Sequence, residues 1–320
     1  AKAAKRDLLA ASARVVTFKE ASEAFIAGRE SSWRNVKHRA QWASSLEAYA
    51  FPVIGALSVA DVEAGHIHRV LDPIWTSKTE TASRVRGRIE QVLDWATARG
   101  HRSGENPARW RGHLDKSFPA PKKVSKPIHF RALPVDDLPA LMERLRQSDG
   151  MGAKALLFAI FTSARSGEVR GAKWSEIDIE RALWTVPAHR MKAGREHRVA
   201  LAGPVLKLLE GLPRFEGSEF VFPAPRGGQL SDMTLSQVLR RMKVPAVPHG
   251  FRSTFRDWVG EHTSYEREVA EMALAHTVPD RVEAAYRRGD MLQRRRKLAE
   301  DWAAFCEYGH IQEGNIIALK

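Results

Sequence analysis

Tyr286 lies in the sequence LAHTVPDRVEAAYRR (residues 274–288), ten residues after His276 and directly before Arg287 and Arg288. A tyrosine hydroxyl can act as a nucleophile, but its pKa of about 10 means that it needs a base or a cationic pocket near neutral pH. Taken alone, both His276 and Tyr286 also fit the buried face of a helix. The rest of the chain must decide between these two interpretations.

A second basic group lies in the sequence PHGFRSTFRDWVGEH (residues 248–262). His249, Arg252 and Arg256 are spaced at offsets of 0, 3 and 7, which places them on one face of a helix. The other face carries apolar residues, namely Phe251, Phe255, Trp258 and Val259. The pattern predicts a helix with an apolar back and a cationic front, and a surface helix with solvated arginines is the alternative.

Arg165 and Lys192 are two further basic candidates. Arg165 follows an apolar helix, AKALLFAIF (residues 153–161), at the start of a short helix. A buried arginine needs an anion, which either Glu168 or a ligand could supply. Lys192 lies in a predicted β-hairpin whose turn Gly194 can make. Other basic residues crowd the same hairpin: Arg190, Arg195 and Arg198.

Cofactor and metal motifs are missing from the sequence. It contains no G-x-x-x-x-G-K-[ST] phosphate loop, no G-x-G-x-x-G and no H-E-x-x-H, and the HIH at residues 66–68 lacks nearby partners. The single cysteine, Cys306, excludes an internal disulfide and a multi-cysteine zinc site, and indicates a reducing cytoplasm. We therefore expect neither a cofactor nor a metal.

The charge of the chain indicates its partner. Lys and Arg total 51 against 38 Asp and Glu, giving a formal net charge of +13, which favours a polyanion: nucleic acid or an anionic membrane surface. No apolar run approaches the roughly 18 residues that a membrane span needs, and the amino terminus lacks a secretory pattern. Nucleic acid is therefore expected, without a membrane.

A length of 320 residues predicts two domains. A helical domain is predicted at 15–113, after a linker segment at 1–14. Its helices are predicted at 17–28, 32–50, 58–71 and 78–99, separated by Gly28, FPVIG and Asp72-Pro73. A basic linker at 114–131 follows, predicted to be extended because Pro119, Pro121 and Pro127 disfavour a helix. Its lysines could follow a phosphate backbone, or the segment could be a solvated spacer.

The second domain is predicted at 132–306, with a tail at 307–320. Strands are predicted at 182–187 and 197–201, and helices dominate from Leu235 to about Cys306. The predicted fold class is therefore mainly α with a small antiparallel β-sheet.

The ordered set of Arg165, Lys192, HGFR (residues 249–252), His276 and Tyr286 resembles the active-site set of the tyrosine recombinases, the phage-integrase family. The sequences SWRNVKHRAQW and TASRVRGRIEQVLDWA resemble the core-binding domain of integrases from prophages and genomic islands. In two places the chain departs from the family pattern: Ser163 and Ala275 stand where glycine is usual.

The resemblance implies a two-domain DNA clamp and a division of roles in a site-specific recombinase. Arg165 and Arg252 would hold the scissile phosphate, and Tyr286 would attack it to form a 3′-phosphotyrosyl link. His249 would handle the tyrosine proton, Lys192 would protonate the 5′ leaving oxygen, and His276 would bond the phosphate or hold the tyrosine's surroundings. Further DNA contacts are expected from basic residues outside this set: Lys122, Lys123, Lys126, Arg256, Arg287 and Arg288.

The implied partners are double-stranded DNA attachment sites in the bacterial nucleoid, a homo-tetramer on DNA with a monomer in isolation, and accessory DNA-bending or directionality proteins. The arm-binding domain common in this subgroup is not recognisable, so we expect the chain to be a fragment. Residues 307–320 could dock on a neighbouring subunit or form a frayed tail. Two alternatives remain: a type IB topoisomerase-like enzyme, and a DNA-binding module without catalysis.

Overall fold

The computed structural model describes residues 15–29, 33, 36–125, 130–276 and 289–310. The chain divides into two units, Ala1–Ile128 and His129–Lys320, and the predicted domains at 15–113 and 132–306 fall within them. Among the helices of this described part, none has the length and apolar character that a membrane crossing requires. Residues 1–14 and 311–320 lie outside the described residues.

The first unit is helical. Its helices are α1 (Phe18–Arg29), α2 (Val36–Ser45), α3 (Phe51–Ile54), α4 (Ala64–Trp75), α5 (Thr79–Ala98) and α6 (Pro121–Val124). Helix α5 corresponds to the helix predicted at 78–99, and the apolar residues that helical spacing puts on one of its faces are all buried: Ala82, Val85, Ile89, Val92, Leu93 and Ala96. This face supplies much of the core that α1 and α4 cover.

Two predicted helix breaks in this unit are wrong. A π-helical turn, Leu46–Ala50, joins α2 directly to α3, so FPVIG continues the helix. Pro52 is the second residue of α3, directly after the π-helical turn. Pro73 lies inside α4, whose last turn is held by the buried side chains of Ile74 and Trp75.

The segment predicted to be an extended linker contains two short helical stretches. A 3₁₀ turn covers Leu114–Lys116, and α6 begins at Pro121. Phe118 is buried, and Trp75 Nε1 donates to the carbonyl oxygen of Pro119 at 3.0 Å. Proline at the first helical position is compatible with a helix, and the apolar contacts then hold the segment to the first unit.

The second unit is mainly α with one small sheet, as predicted. Its helices are α7 (Leu138–Arg146), α8 (Met151–Thr162), α9 (Ser166–Arg170), α10 (Gly203–Glu210), α11 (Thr234–Arg241), α12 (Gly250–His262), α13 (Arg267–Ala273) and α14 (Leu292–Tyr308). Strands β1 (Ile177–Asp178), β2 (Leu183–Val186) and β3 (His197–Ala200) form an antiparallel sheet in the order β1-β2-β3. The predicted hairpin is β2-β3, with Trp184 opposite Val199. Strand β1 was not predicted.

The core of this unit surrounds α8, which is buried along most of its length. The predicted apolar back of α12 is confirmed, since Phe251, Phe255, Trp258 and Val259 are all buried. Trp302 from α14 packs edge-on to Phe255, and its indole N–H donates to the carbonyl oxygen of Ile160 at 2.9 Å. Helices α8, α12 and α14 therefore form one packed body that fixes the ends of the loops between them.

Candidate active site

Arg165 caps the start of α9, directly after the buried helix α8. Its Nη1 donates to Glu168 Oε1 at 2.8 Å, and its main-chain N–H donates to Glu168 Oε2 at 2.9 Å. The Glu168 side chain is only 7% exposed. Arg165 Nη2 also reaches the carbonyl oxygen of Ala275 at 3.3 Å. Of the two anions considered from the sequence, Glu168 is the one that the structure pairs with this arginine.

Arg252 lies in α12 and is buried, with 5% of its surface exposed. Its Nη1 donates to the carbonyl oxygen of Ser163, and its Nη2 donates to that of Leu274 at 2.6 Å. Burial, and after it the charge of Arg165, lowers the pKa of Arg252 to about 10. The alternative of a surface helix with solvated arginines is thus wrong at this position. The side chain points inward because main-chain carbonyls accept its N–H groups.

Ser163 and Ala275 both have a left-handed backbone, each with φ near +50°. Glycine adopts this region without steric cost, which gives a physical reason for the glycine that the resemblance leads one to expect at both positions. Ser163 ends α8, and Ala275 follows the end of α13. The carbonyl oxygen of Ala275 accepts from Arg165, and that of Ser163 accepts from Arg252.

His276 lies just after α13, with its side chain 42% exposed. It is therefore not the core histidine that an apolar stripe would favour. Its Nδ1 lies 2.6 Å from Glu271 Oε2, and its Nε2 lies 3.0 Å from Arg252 Nη2. The imidazole thus connects an acidic residue to one of the two arginines.

His249 precedes the first residue of α12. Burial lowers the pKa of its imidazole, and the charges of Arg252, Arg165, His276 and Lys192 lower it further, in that order. At neutral pH the ring is therefore neutral and able to accept a proton.

The ring of Phe130 covers the His249 imidazole edge-on, with centroids 4.6 Å apart. The backbone that carries Phe130 is fixed by two bonds: Val247 N donates to the carbonyl oxygen of Arg131 at 3.0 Å, and Thr254 Oγ1 donates to that of Leu133 at 2.6 Å. Gly250 permits this approach, because a Cβ there would lie 2.1 Å from the Arg131 oxygen.

Lys192 lies on the β2-β3 connection and is exposed. Its charge is among those that lower the pKa of His249, so it lies within electrostatic range of the arginines and histidines. Its neighbour Arg190 is engaged elsewhere, because its guanidinium pairs with Glu176 and donates to the carbonyl oxygen of Glu168. Of the basic residues on this hairpin, Arg198 is paired with Asp290 at 2.8 Å.

Tyr286, Arg287 and Arg288 lie outside the described residues, as does Lys126. The chain resumes at Gly289. There, Asp290 Oδ2 accepts from Arg295 Nη2 at 2.7 Å and from Arg198 Nε at 2.9 Å. Asp290 is thus held to strand β3 by Arg198 and to α14 by Arg295.

The remaining residues expected to contact DNA differ in their surroundings. Lys122 and Lys123 are exposed on α6 of the first unit. Arg256 Nε is instead bonded to Glu271 Oε1 at 2.8 Å, and its side chain is 28% exposed.

The described site combines two arginines, two histidines and a lysine with two acidic residues, Glu168 and Glu271. No group of three metal-ligating side chains was found in the described ranges. The sequence analysis missed Glu271 and Phe130. His276 follows Glu271 by five positions, across the end of α13, so no helical spacing relates the two residues. Phe130 is distant from His249 in sequence.

Comparisons with known proteins relate the chain to one family. The model of the phage integrase family matches residues 131–292, and the model of the phage integrase central domain matches residues 18–113. Prophage integrase IntA of Escherichia coli (strain K12) is 32% identical over 267 residues, covering 81% of this chain and 62% of IntA. Prophage integrase IntZ of the same strain is 30% identical, covering 89% of this chain and 70% of IntZ. The chain thus spans about two thirds of the length of these relatives.

Solved structures of λ integrase share the fold. The dimer of residues 75–356 bound to a COC′ core site has a TM-score of 0.64 at 19% identity, covering 82% of this chain and 96% of that one. A λ integrase tetramer bound to a Holliday junction gives the same TM-score. Together with the two matched family models, these likenesses identify the chain: it belongs to the phage integrase family.

Proposed function

We propose that the protein is a tyrosine-type site-specific DNA recombinase, an integrase that cleaves and rejoins DNA strands through a 3′-phosphotyrosyl intermediate to integrate or excise a mobile element. One observation carries the proposal. Arg165 and Arg252 come from different helices and meet at the carbonyls of Leu274 and Ala275, directly before His276. Two guanidinium groups therefore lie next to His276, which supports a site for one phosphate.

The arginines are suited to a phosphate. Arg165 Nη2 and both Nη atoms of Arg252 donate to main-chain carbonyls, which are neutral acceptors, whereas a phosphodiester would offer charged oxygens and stronger bonds. Arg252 Nε is buried and has no hydrogen-bond partner among the described residues. A pentacoordinate transition state carries more charge on the non-bridging oxygens, so the same donors would stabilise it further.

The proton transfers can be assigned to named atoms. Tyr286 Oη would attack phosphorus while its proton passes to the neutral His249 imidazole, whose lowered pKa favours the unprotonated form at neutral pH. The bond to the 5′ oxygen breaks, and Lys192 Nζ would supply the proton that this oxygen needs. Rejoining reverses these steps: a 5′ hydroxyl attacks the phosphotyrosine and tyrosine leaves. Because the phosphoester is conserved, neither a nucleotide cofactor nor a metal is required.

The surroundings of two other tyrosines, Tyr265 and Tyr308, support the choice of Tyr286 as the nucleophile. Tyr265 donates its hydroxyl to Asp301 Oδ2 at 2.5 Å, and burial, followed by that bond, raises its pKa above the usual value. This raised pKa makes Tyr265 poorly suited to act as a nucleophile. Tyr308 lies at the end of α14 with 54% of its surface exposed.

The partners proposed are double-stranded DNA attachment sites and further copies of the chain, a tetramer on DNA in the complete reaction and a monomer without DNA. The λ integrase dimer on a core site and the tetramer on a Holliday junction support this proposal, since they have the same fold. Accessory DNA-bending or directionality proteins and a location at the nucleoid belong to the same proposal.

The test is covalent trapping. The protein is incubated with a nicked duplex carrying the cognate attachment site, and the products are separated on a denaturing gel. We expect a protein-DNA adduct with the parent and none with Tyr286→Phe, although the variant should bind the same DNA with nearly parental affinity. Excess EDTA should leave the adduct unchanged.

Tyr308→Phe is the matched control, because it removes a phenol of the same unit outside the described site. It should form adduct as the parent does. Adduct formed by Tyr286→Phe would mean that another residue attacks. A strand-exchange assay with two duplexes separates a recombinase, which exchanges strands between them, from a topoisomerase-like enzyme, which reseals each one alone.

A further inference from the structure

Glu271 lies in the last turn of α13, where its carboxylate has three basic neighbours. His276 Nδ1 lies 2.6 Å from Oε2, Arg256 Nε lies 2.8 Å from Oε1, and Arg267 Nε lies 3.8 Å from Oε1. The Glu271 side chain is 25% exposed, so these interactions are partly shielded from solvent. The carboxylate is therefore shared between a site histidine and two arginines outside the arginine pair of the site.

The end of α13 builds the contact between Glu271 and His276. The N–H of Ala275 donates to the carbonyl oxygen of Met272 at 3.0 Å, and the N–H of His276 donates to that of Glu271 at 2.9 Å. With Ala275 left-handed, these two bonds form a Schellman motif. The motif turns the chain back so that His276 lies beside Glu271. The two residues are then joined by a main-chain hydrogen bond and by a bond between their side chains.

The partners of His276 determine where its proton lies. Arg252 Nη2 can only donate, so His276 Nε2 must accept from it across 3.0 Å. The Glu271 carboxylate can only accept, so Nδ1 must carry a hydrogen. Burial raises the pKa of Glu271, but the hydrogen bonds from His276 and Arg256 outweigh it and hold the pKa below its usual value. The residue is thus a carboxylate at neutral pH.

We propose that Glu271 is a positioning residue of the strand-transfer site: in the protein without DNA it holds His276 in the tautomer protonated at Nδ1, so that Nε2 accepts from Arg252 and fixes its guanidinium before a phosphate binds. The proposal rests on the proposed function, since the position of Arg252 matters for a phosphate. The carboxylate of Glu271 bonds to His276 Nδ1 and to Arg256 Nε. It acts through His276.

The alternative tautomer explains why the carboxylate is needed. With the proton on Nε2, an N–H of His276 would face the N–H of Arg252 Nη2, and no bond could form. Arg252 would then lose one of its acceptors at a buried position. The guanidinium would then be held only by the carbonyls of Ser163 and Leu274 and could shift, and a displacement of about 1 Å in a catalytic group can cost about 100-fold in rate.

The first experiment measures the tautomer directly, in the full chain without DNA. Nitrogen-15 chemical shifts of the imidazole distinguish a protonated from a bare ring nitrogen, and the signals of His276 are identified by their loss in His276→Gln. We expect the parent protein at neutral pH to show a protonated Nδ1 and a bare Nε2. In Glu271→Ala, a large fraction of His276 should carry its proton on Nε2. A bare Nδ1 in the parent overturns the proposal without any variant having to fold.

The second experiment measures single-turnover cleavage of the duplex used for trapping. Glu271→Ala should slow adduct formation by about 100-fold while DNA affinity changes little, because positioning is lost and not charge at the phosphate. Glu266→Gln is the matched control: it removes one charge from the residue before α13, and this carboxylate pairs with Arg294 at the surface. It should retain the parental tautomer and rate.

Arg256→Ala tests whether the Glu271 carboxylate acts through His276 or through Arg256. It removes the other close partner of Glu271, and we expect the parental tautomer to persist. If Arg256→Ala instead shifts the tautomer and slows cleavage as much as Glu271→Ala does, Glu271 acts through Arg256 and the proposal fails. If no variant or parent forms adduct, the proposed function fails, while the nitrogen shifts still decide the tautomer.

Discussion

Ser163 presents its carbonyl oxygen to Nη1 of Arg252 from a left-handed backbone conformation, with φ near +50° and ψ near +24°. Its own Oγ is buried and has no hydrogen-bond partner among the described residues. A non-glycine residue in this region costs about 1–2 kcal/mol. The site thus obtains an acceptor for a buried arginine at a position that destabilises the fold.

Ser163→Gly should therefore stabilise the protein, by about 1 kcal/mol, since it removes the backbone strain and an unpaired hydroxyl. The measurement is the free energy of unfolding in urea. Adduct formation should stay near the parental rate, because the Ser163 carbonyl is kept.

Two variants separate the causes of this effect. Ser163→Ala removes the hydroxyl and keeps the strained Cβ, so it should recover only part of the gain. Ala159→Gly, in the buried interior of α8, should destabilise by about 1 kcal/mol. A loss of stability in Ser163→Gly would show that the left-handed turn is not strained.

Phe130→Ala should move the acid limb of the cleavage rate to higher pH. The ring covers His249, and burial is the main cause of its lowered pKa. Removing the cover raises that pKa toward its usual value, so at mildly acidic pH more of the base is protonated and inactive. At alkaline pH the base is neutral in both proteins, and the rates should converge. The measurement is single-turnover cleavage across pH.

Phe130→Leu is the control, because it keeps an apolar cover over the imidazole. Its acid limb should lie closer to the parental one than that of Phe130→Ala. Identical profiles for parent and Phe130→Ala would mean that the aromatic contact does not influence the base.

Lys192→Ala should cleave ordinary DNA much more slowly than the parent but cleave a 5′-bridging phosphorothiolate at nearly the parental rate. A thiolate leaves unaided, because the pKa of its conjugate acid is about 8.5 and an alcohol's is far higher. Arg165→Ala should be slow on both substrates, since both need charge stabilisation. Arg195→Ala, on the same hairpin and also exposed, controls for loss of charge. Equal slowing of Lys192→Ala on both substrates would assign the acid elsewhere.

His197 should make the protein less stable in mild acid. Burial, with the charge of Arg295, lowers its pKa to about 4, and its Nε2 lies 3.3 Å from the carbonyl oxygen of Ala273. Between about pH 6.5 and 4 the unfolded chain binds a proton that the folded chain does not, so stability falls as the pH falls through this window. Below about pH 4 the loss is complete.

The check compares unfolding free energies of the parent and His197→Gln at several pH values. Relative to the variant, the parent should lose up to about 3 kcal/mol between pH 7 and pH 4. The nearby charges of Glu168 and Arg165 are the same in both proteins. Parallel curves would show that His197 is protonated equally in the folded and unfolded states.

The sequence by itself determined the local elements and the chemical set. The apolar faces of α5 and α12 followed from helical spacing, because helical periodicity decides which side chains share a face. The hairpin of β2 and β3 followed from two short strands around Gly194. The types and order of Arg165, Lys192, His249, Arg252 and His276 were sufficient to suggest the family that the comparisons then showed.

Tertiary structure alone decided how these residues are held. That Arg252 is buried, that Glu271 pairs with His276, and that Phe130 covers His249 depend on contacts between segments that no local pattern relates. The prolines at positions 73 and 121 were misjudged for the same reason. Proline disfavours a helix interior, but packing of Trp75 into the core of the first unit compensates for that cost at Pro73, whereas Pro121 is the first residue of its helix, where proline is tolerated.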